Sequence, residues 1–217
     1  FLGLRFRPTV SQLRLPPSLD HAPRVLFLAS AWDPNEPGLS EQSRAERSRI
    51  NEMRANTMRL LRGELGHRFV GGMVRSPHAV SAYPDVVCAD TSVTAKRHYL
   101  DLVRQTPVCV ASTGLHSSNG WKLGEYVALS RAIVSERLLH DVPHGFGDGT
   151  NYLGFTDPDR CVEHCVSLLE DKAKREAMMA SNWDYYRRHL APDRLVLSSV
   201  RPDLNEFTPP SGDPASR

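Results

Sequence analysis

The sequence predicts an α/β protein with a doubly wound, mostly parallel sheet, and two observations support this. Short apolar runs without polar alternation are typical of parallel strands that helices cover on both faces. These runs alternate with longer helical segments, which implies right-handed crossover connections between strands. The chain has 217 residues, of which 40% are hydrophobic. That is enough for the core of one such domain.

The expected elements follow one another in regular order. We predict strands at Arg24 to Ser30, Phe69 to Met73, Asp85 to Ala89, Val108 to Ala111, Ala132 to Ser135 and Asn151 to Phe155. We predict helices at Ser40 to Leu65, Ser92 to Arg104 and Trp121 to Ser130, and two more from Pro158 to Leu190 with a break near Asp171. The long helix is expected to end at Gly66, because glycine is common just beyond a helix.

Three regions are expected along the chain. Residues 1–23 are rich in proline and are interpreted as a linker or strap, residues 24–200 as the domain, and residues 201–217 as a disordered tail. The chain does not start with Met, and its first residues lack the features of a secretory signal. We therefore interpret it as a fragment or a processed chain. No apolar run has the length of a membrane-spanning helix.

The charge balance excludes a strong overall attraction to nucleic acid or anionic lipid. Lys and Arg number 27, Asp and Glu number 25, and the net charge is +2. Arginines recur between Arg44 and Arg62, but glutamates interleave with them. This favours an ion-paired, solvated helix face over a nucleic-acid surface.

The four cysteines are interpreted as buried, reduced thiols, because no Cys-x-x-Cys pair provides the spacing of metal ligands. We therefore expect no metal site and a reducing, cytoplasmic location.

The loop after the strand at Val108 to Ala111 carries the strongest sign of a ligand site. In open parallel sheets, ligands bind beyond the carboxyl ends of the strands. Residues 112–120 are rich in Gly, Ser and Asn, which permit tight turns, and they lead directly into a helix. The first free amides of a helix can hold phosphate oxygens. We therefore predict an anion site at this loop, which includes Ser118 and Gly120.

The helix that follows has its apolar positions at helical spacing from Leu123, which leaves Lys122 and Glu125 together on the other side. A cation and a carboxylate beside one space suit a nucleoside diphosphate. Lys122 would stabilise the phosphates, and Glu125 would accept hydrogen bonds from ribose hydroxyls. The alternative is an ordinary exposed pair three residues apart, which contributes only about 0.2–0.5 kcal/mol.

A resemblance to a known family begins at these residues. The run from Gly124 to Val134 resembles the Glu-Ala-x-Ala-x-Gly-x-Pro-Val-Ile stretch of GT-B glycosyltransferases of the group 1 type. The segments from Gly149 to Pro158 and from Leu168 to Asp171 are similar to the patterns that follow it in that family. The resemblance implies the C-terminal, Rossmann-like, donor-binding half of a GT-B fold. It also implies that Glu125 binds the ribose of the donor.

Two departures from the family pattern bear on the chemistry. Retaining group 1 enzymes commonly carry a second Glu eight positions before the ribose-binding one, where this chain has Ser117. They also place Gly-Arg and a Lys after the first strand, where this chain has Ala31-Trp32-Asp33-Pro34. We therefore expect the diphosphate contacts from Lys122, from Lys96 or from an Arg on the long helix. The resemblance therefore does not imply whether the sugar transfer retains or inverts the configuration at the anomeric carbon.

Further residues are candidates for the donor site, most with a structural alternative. His116 donates to a phosphate or the sugar, or is an ordinary surface histidine. His144, in a glycine-rich loop after the next strand, is a candidate to reach the donor sugar. Glu136 ends a strand, where polar groups are often functional, or caps the turn that follows. Asn151 and Tyr152 approach the nucleotide, as the resemblance implies, or start a strand.

The expected activity is therefore sugar transfer of the hexosyltransferase type, with a nucleoside diphosphate sugar as co-substrate and no other cofactor. The resemblance implies that a glycan or lipid-linked acceptor, peripheral to a membrane in some cases, binds an N-terminal domain of a longer chain. No nucleic-acid partner is expected. One alternative is a non-catalytic Rossmann-like module that binds a nucleotide or a partner. Another is a different nucleotide enzyme such as an epimerase or a dehydrogenase, although the first strand is not followed by a Gly-x-Gly-x-x-Gly turn.

Overall fold

The computed structural model describes residues 9–18 and 22–200. Within them, parallel strands form a single five-stranded sheet in the order β2-β1-β3-β4-β5. The strands are β1 (Val25–Ala29), β2 (Phe69–Met73), β3 (Val108–Ala111), β4 (Ala132–Glu136) and β5 (Leu153–Phe155). The doubly wound α/β fold that the sequence predicts is confirmed.

Helices connect and cover the strands. They are α1 (Val10–Leu13), α2 (Glu41–Leu65), α3 (Pro77–Ala82), α4 (Lys96–Gln105), α5 (Trp121–Ala128), α6 (Pro158–Glu170), α7 (Lys172–Tyr185) and α8 (Pro192–Val200). The long helix α2 begins after Ser40, whose hydroxyl accepts a hydrogen bond of 3.1 Å from the amide of Ser43. It ends at Gly66, as predicted, where φ is +53°.

Alternate strand residues divide the core into two layers. In β1, Val25 and Phe27 belong to the cluster that α2 and α6 complete, whereas Leu26 and Leu28 belong to the cluster that α4 and α5 complete. These four side chains are at most 3% exposed. Each contributes about 1.5–3 kcal/mol by burial. Burial on both faces explains why the strand sequences are apolar without alternation.

The strand predicted at Asp85 to Ala89 is absent, which corrects the sequence-based expectation. Val87 forms one isolated parallel bridge to Met73, flanked by hydrogen bonds of 2.8 Å from the Met73 amide to Val86 and from the Cys88 amide to Met73. The side chain of Val86 is 1% exposed and belongs to the cluster with α2. This run is therefore apolar because it is buried in the core, without the ladder of pairs that makes a strand.

Two glycines let neighbouring backbone approach β2 closely. Gly71 has φ +120°, and a Cβ atom there would lie 2.2 Å from the carbonyl oxygen of Phe27 in β1. Gly72 has φ +145°, and its Cβ would lie 2.6 Å from the carbonyl oxygen of Val86. Only glycine combines these backbone angles with so little space.

Helix ends also differ from the prediction. The helix predicted from Ser92 is interrupted, because Ala95 has an extended backbone between a 3-10 turn at Thr91–Thr94 and the start of α4. The last predicted helix ends at Tyr185 before a π turn at Tyr186–Leu190. Helices α1, α3 and α8 are not among the elements that the sequence predicts.

The predicted strap is described in part. Within residues 9–18, the amide of Leu15 donates to the carbonyl of Ala128 at 3.3 Å, and the hydroxyl of Ser130 donates to the carbonyl of Leu15 at 2.6 Å. This segment therefore runs beside the end of α5. Residues 1–8 and 19–21 and the predicted tail at 201–217 lie outside the described residues.

Candidate functional site

A crevice begins where the pairing between β1 and β3 ends. These strands pair only at Val25↔Val108 and Leu26↔Cys109, although β1 continues to Ala29 and β3 to Ala111. Beyond β1 the chain enters α2 on one face of the sheet, and beyond β3 it enters α5 on the other face. Ligands of doubly wound sheets bind at such a point.

A cavity of about 410 Å³ occupies this opening. Its walls are the ends of β1 and β3, the loop of residues 112–120 and the start of α5. Of the predicted donor-site residues, Ser118, Gly120 and Lys122 line it. The predicted anion loop therefore borders a space within the usual size range of small-molecule sites.

The start of α5 faces this space without a side-chain cap. Its N-cap residue is Gly120, which has no side chain to accept hydrogen bonds from the first amides of the helix. Unpaired amides and the helix dipole make such a position favourable for an anion.

Lys122 reaches into the opening between the strands. Its amine donates a hydrogen bond to the carbonyl of Leu28, beyond the last pair that β1 makes with β3. Burial, followed by the positive charge of Arg54, lowers the pKa of Lys122 to about 8. An anion in the cavity would counter both effects.

Glu125 lies one turn further along α5 and does not line this cavity. Its carboxylate forms an ion pair with the amine of Lys96 on α4, and its side chain is 16% exposed. The structure therefore brings Lys122, but not Glu125, to the wall of this cavity, and Glu125 is paired with Lys96 of α4. The ribose-binding role of Glu125 stays a prediction.

Arg54, on α2, lines the cavity. The sequence predicts a phosphate contact from an arginine of this helix but does not indicate which one. Its guanidinium donates hydrogen bonds to the carbonyls of Ser30 at 2.7 Å and Thr113 at 2.8 Å, and to the hydroxyl of Ser112 at 3.0 Å. It thereby joins the loop after β1 to the loop after β3.

The position of Arg54 on the helix is the sequence signal that could have found it. It is 6% exposed and lies four residues from both Ile50 and Met58, on the apolar face of α2. Burial lowers the pKa of Arg54, and the negative charge of Glu136 opposes that change. An arginine among core positions of a helix indicates that its guanidinium forms hydrogen bonds inside the protein.

His116 lies at the tip of the loop, away from the cavity wall. Its backbone amide donates to the carboxylate of Glu46 at 2.6 Å, and its side chain is 86% exposed. Both His116 and Ser117 have φ of 56°, in the left-handed region. Such residues persist where surrounding contacts hold the backbone, and Glu46 supplies one of these contacts. Donation from His116 to a ligand stays a prediction.

Glu136 supports the same loop from the end of β4. Its carboxylate accepts hydrogen bonds from the amide of Thr113 at 2.7 Å and from the hydroxyl of that residue at 3.1 Å. It also lines a second cavity of about 210 Å³. Glu136 therefore shapes the loop that borders the larger cavity, and direct contact with a donor stays a prediction.

The other candidates do not line the larger cavity. Asn151 is 3% exposed and donates to the side chain of Asn182 at 3.1 Å. Tyr152 is 6% exposed within the core, and the ring of His144 stacks on that of His189 at 4.3 Å. These contacts give all three residues structural roles, and their donor contacts stay predictions.

Two tryptophans complete the wall of the larger cavity. Trp32 follows β1 and is 37% exposed, and Trp121 is the first residue of α5 and is 83% exposed. The sequence analysis did not identify either as a site residue. A large aromatic ring so exposed at the mouth of a cavity is the available signal.

A wider, open groove of about 860 Å³ lies elsewhere, between α2 and α6. Its lining carries five carboxylates, those of Glu64, Asp159, Glu163, Glu170 and Asp171. The guanidinium of Arg59 in this groove is bound to Asp85. The negative charge would repel a diphosphate, so the cavity of about 410 Å³ between β1 and β3 is the better candidate for an anion.

Two further findings concern residues 9–18 and 22–200. None of their helices is long and apolar enough to cross a membrane. No group of three or more His, Cys, Asp or Glu side chains among them is arranged to hold a metal ion.

No family model and no curated protein matches this sequence. Solved structures do match. One is the C-terminal domain of a glycosyl transferase group 1 family protein, LpcC, from Francisella tularensis, with a TM-score of 0.52 and 10% identity, covering 84% of this chain and 98% of that one. Another is a variant of S. aureus TarM in complex with Fondaparinux, alpha-GlcNAc-glycerol and UDP, with a TM-score of 0.53 and 7% identity, covering 90% of this chain and 38% of that one.

A UDP-GlcNAc 2-epimerase from Neisseria meningitidis bound to UDP-GlcNAc is less similar, with a TM-score of 0.47 and 12% identity, covering 77% of this chain and 44% of that one. These similarities concern the fold. The chain has the Rossmann-like fold of the C-terminal half of GT-B glycosyltransferases, as the sequence predicts. It spans nearly all of the LpcC domain and less than half of the TarM chain.

Proposed function

We propose that this chain is the donor-binding half of a GT-B-type glycosyltransferase and that a nucleoside diphosphate sugar binds in the crevice between β1 and β3. The observation that carries this proposal is the position of Lys122. Its buried amine enters a cavity of about 410 Å³ at the switch point of the sheet, beside the uncapped start of α5. A diphosphate provides the negative charge that these groups attract. The fold shared with the LpcC domain supports the class of protein.

The proposed chemistry is the transfer of a sugar from the diphosphate to an acceptor hydroxyl. The acceptor oxygen forms a bond to the anomeric carbon as the bond between that carbon and the diphosphate oxygen breaks. The leaving oxygen takes the electron pair, and the proton of the acceptor hydroxyl passes to solvent. The ammonium of Lys122 and the amides of α5 would stabilise the charge that grows on this oxygen. No metal ion is required in this scheme, because these donors balance the charge.

Glu125 would bind the ribose once its ion pair with Lys96 opens. A phosphate near the start of α5 attracts the amine of Lys96 away from Glu125. That exchange frees both carboxylate oxygens to accept hydrogen bonds from the ribose hydroxyls. Lys96, which the sequence analysis named as a diphosphate candidate, then contributes a second cation.

The acceptor in this proposal is a glycan or a lipid-linked sugar, which an N-terminal domain of a longer parent chain would bind across the cleft. Contact with the periphery of a membrane is part of the lipid-linked case. The match to nearly all of one C-terminal domain but only 38% of the TarM chain is consistent with such a division. The buried, free cysteines support a cytoplasmic location.

One alternative is a Rossmann-like module that binds a nucleotide or a partner without catalysis. The observation that favours it is that Lys122 and Glu125 both bond to other groups of this chain. In addition, Ser117 stands where retaining enzymes of the resembled family commonly carry a Glu.

Isothermal titration calorimetry of this chain with UDP, GDP and the corresponding nucleotide sugars tests the proposal. We expect at least one of them to bind, and we expect Lys122→Met to weaken that binding by at least about tenfold, as the loss of a charge-assisted contact does. Lys172→Met is the matched control, because Lys172 is 71% exposed on α7 and pairs with Glu176. It should leave the affinity unchanged.

Two results would overturn the donor site. One is no detectable binding of any nucleotide, and the other is equal affinity in the wild-type chain and in Lys122→Met. Enzyme and module are distinguished by assaying the parent protein for nucleoside diphosphate release in the presence of acceptor glycans. Binding without release favours the module.

A further inference from the structure

The exposure of Trp121 is unusual for its residue type. Tryptophan is highly buried on average, yet Trp121 is 83% exposed, and two of the three tryptophans of the chain line the same cavity. The third, Trp183, lies 6.3 Å from Tyr186 in a stacked ring pair that forms part of the core. The exposed indole is therefore concentrated at the crevice and not scattered over the surface.

Charged groups hold both cavity tryptophans in place. The amine of Lys96 lies 5.6 Å from the centre of the Trp121 ring and is paired to Glu125, one turn further along α5. On the other side of the cavity, the guanidinium of Arg47 lies 5.7 Å from the centre of the Trp32 ring. Cation–π contacts of this kind orient a ring without burying it.

The backbone of Trp32 is fixed as well. Asn51 accepts a hydrogen bond from its amide at 2.9 Å and donates one to its carbonyl at 2.6 Å. The loop after β1 is thus bonded to α2 at Trp32. A planar group that enters the crevice would border the Trp121 ring at the start of α5 and the Trp32 ring after β1.

The chemistry of the groups on α5 indicates which part of a nucleotide contacts Trp121. Lys122 borders the cavity as the candidate phosphate contact, and Glu125 is the candidate ribose contact. Trp121 and Glu125 are four residues apart and so share a face of the helix, and Lys96 contacts both. A ribose at Glu125 is bonded both to the diphosphate and to the base, and of these two parts only the base has the flat face on which an indole stacks.

We propose that Trp121 is the stacking platform for the nucleobase of the donor and that Trp32 bounds the same space from the β1 side. This inference rests on the proposed function, since it takes the ligand to be a nucleoside diphosphate. Stacking on an exposed ring accepts any base, because every base has a π face. The platform therefore contributes affinity for the nucleoside part and none for the diphosphate.

Calorimetric titration of this chain with UDP, GDP and inorganic pyrophosphate separates the two parts. We expect Trp121→Ala to weaken UDP or GDP binding by about tenfold or more, as removal of a stacking aromatic does, and to leave pyrophosphate affinity unchanged. Trp121→Phe keeps an aromatic face and should recover most of the loss. Leu195→Ala is the control for removing an exposed apolar side chain, since Leu195 is 47% exposed on α8.

Each contrary result is distinct. Unchanged UDP and GDP affinity in Trp121→Ala overturns the platform while the proposed function stands. An equal loss of pyrophosphate affinity also overturns it, because Trp121 then acts on the phosphate site. If the wild-type chain binds neither nucleotide, with or without pyrophosphate, the proposed function itself fails and the platform fails with it.

Discussion

Strand β1 pairs with β2 on one side and with β3 on the other, and the two contacts are built differently. The contact with β2 is the closed seam, and the contact with β3 is the open seam. With β2, strand β1 pairs at five positions along its whole length, and with β3 it pairs at only two. On the β2 side, Gly71 allows the backbones to approach closely. On the β3 side, the strands separate, and Arg54 and Lys122 bond to the backbone at the opening. A ligand-sized space therefore arises where strand pairing ends early and cationic side chains take the place of the missing pairs.

The closed seam is expected to be the more sensitive to substitution. Gly71→Ala should lower the free energy of unfolding by more than about 4 kcal/mol, because its Cβ would lie 2.2 Å from the carbonyl oxygen of Phe27 at φ +120°. Gly63→Ala is the control, since a Cβ at this exposed position of α2 meets nothing within 4 Å. It should raise stability by up to about 1 kcal/mol. Urea denaturation measures both, and a Gly71→Ala variant as stable as wild type would contradict this account.

A substitution at the open seam should lower the free energy of unfolding less and should weaken ligand binding more. Arg54→Met should lower the free energy of unfolding by about 2 kcal/mol, since two carbonyls lose a donor beside a cavity that water can enter. Pyrophosphate affinity should fall at least about tenfold, because the loops after β1 and β3 are no longer joined. The control is Arg160→Met, whose exposed pair with Glu163 is expected to contribute no more than about 1 kcal/mol.

Calorimetry and urea denaturation of both arginine variants provide the check. A folded Arg54→Met variant that binds pyrophosphate as tightly as wild type would show that the open seam does not depend on this arginine.

The smallest effect concerns the pH dependence of stability at the open seam. The pKa of Lys122 falls from 10.5 to about 8 on folding, so the unfolded chain binds more protons between these values. The contribution of Lys122 to the free energy of unfolding therefore increases as the pH rises through that window. Wild type should gain about 1–2 kcal/mol over Lys122→Met between about pH 8 and about pH 10. Urea denaturation at several pH values tests this, with Lys172→Met as the control, and parallel curves for wild type and Lys122→Met would refute it.

Most of the fold could be predicted from the sequence because buried parallel strands and long helices leave different apolar patterns. The errors have a physical cause as well. The run from Asp85 to Ala89 is apolar through contact with α2, and periodicity does not distinguish a short buried segment from a paired strand. The short helix α3 carried a local signal, Ser76 as N-cap before Pro77 at the first helical position.

The candidate site could likewise be predicted only in part. The loop before α5 could be located, because its glycines and its place after a strand are local properties. The partners of the charged groups could not be predicted, because those contacts join distant parts of the chain. Lys96 lies 29 residues from Glu125, and Arg54 lies 59 from Thr113. Such pairs follow from how α2, α4 and α5 are arranged around the sheet.

The segment that interrupts the strand pattern at Val87 also governs how this sheet meets other molecules. Strand β2 lies at one end of the sheet, and an unprotected outer strand invites another chain to add to it and to aggregate. Gly72 lets residues 86–88 approach, so that the end of β2 is covered by hydrogen bonds from its own chain. The opposite outer strand, β5, has only three residues. The covered end of β2 and the short strand β5 are thus unfavourable templates for self-association, and the crevice in the middle of the sheet is left as the candidate place for recognition.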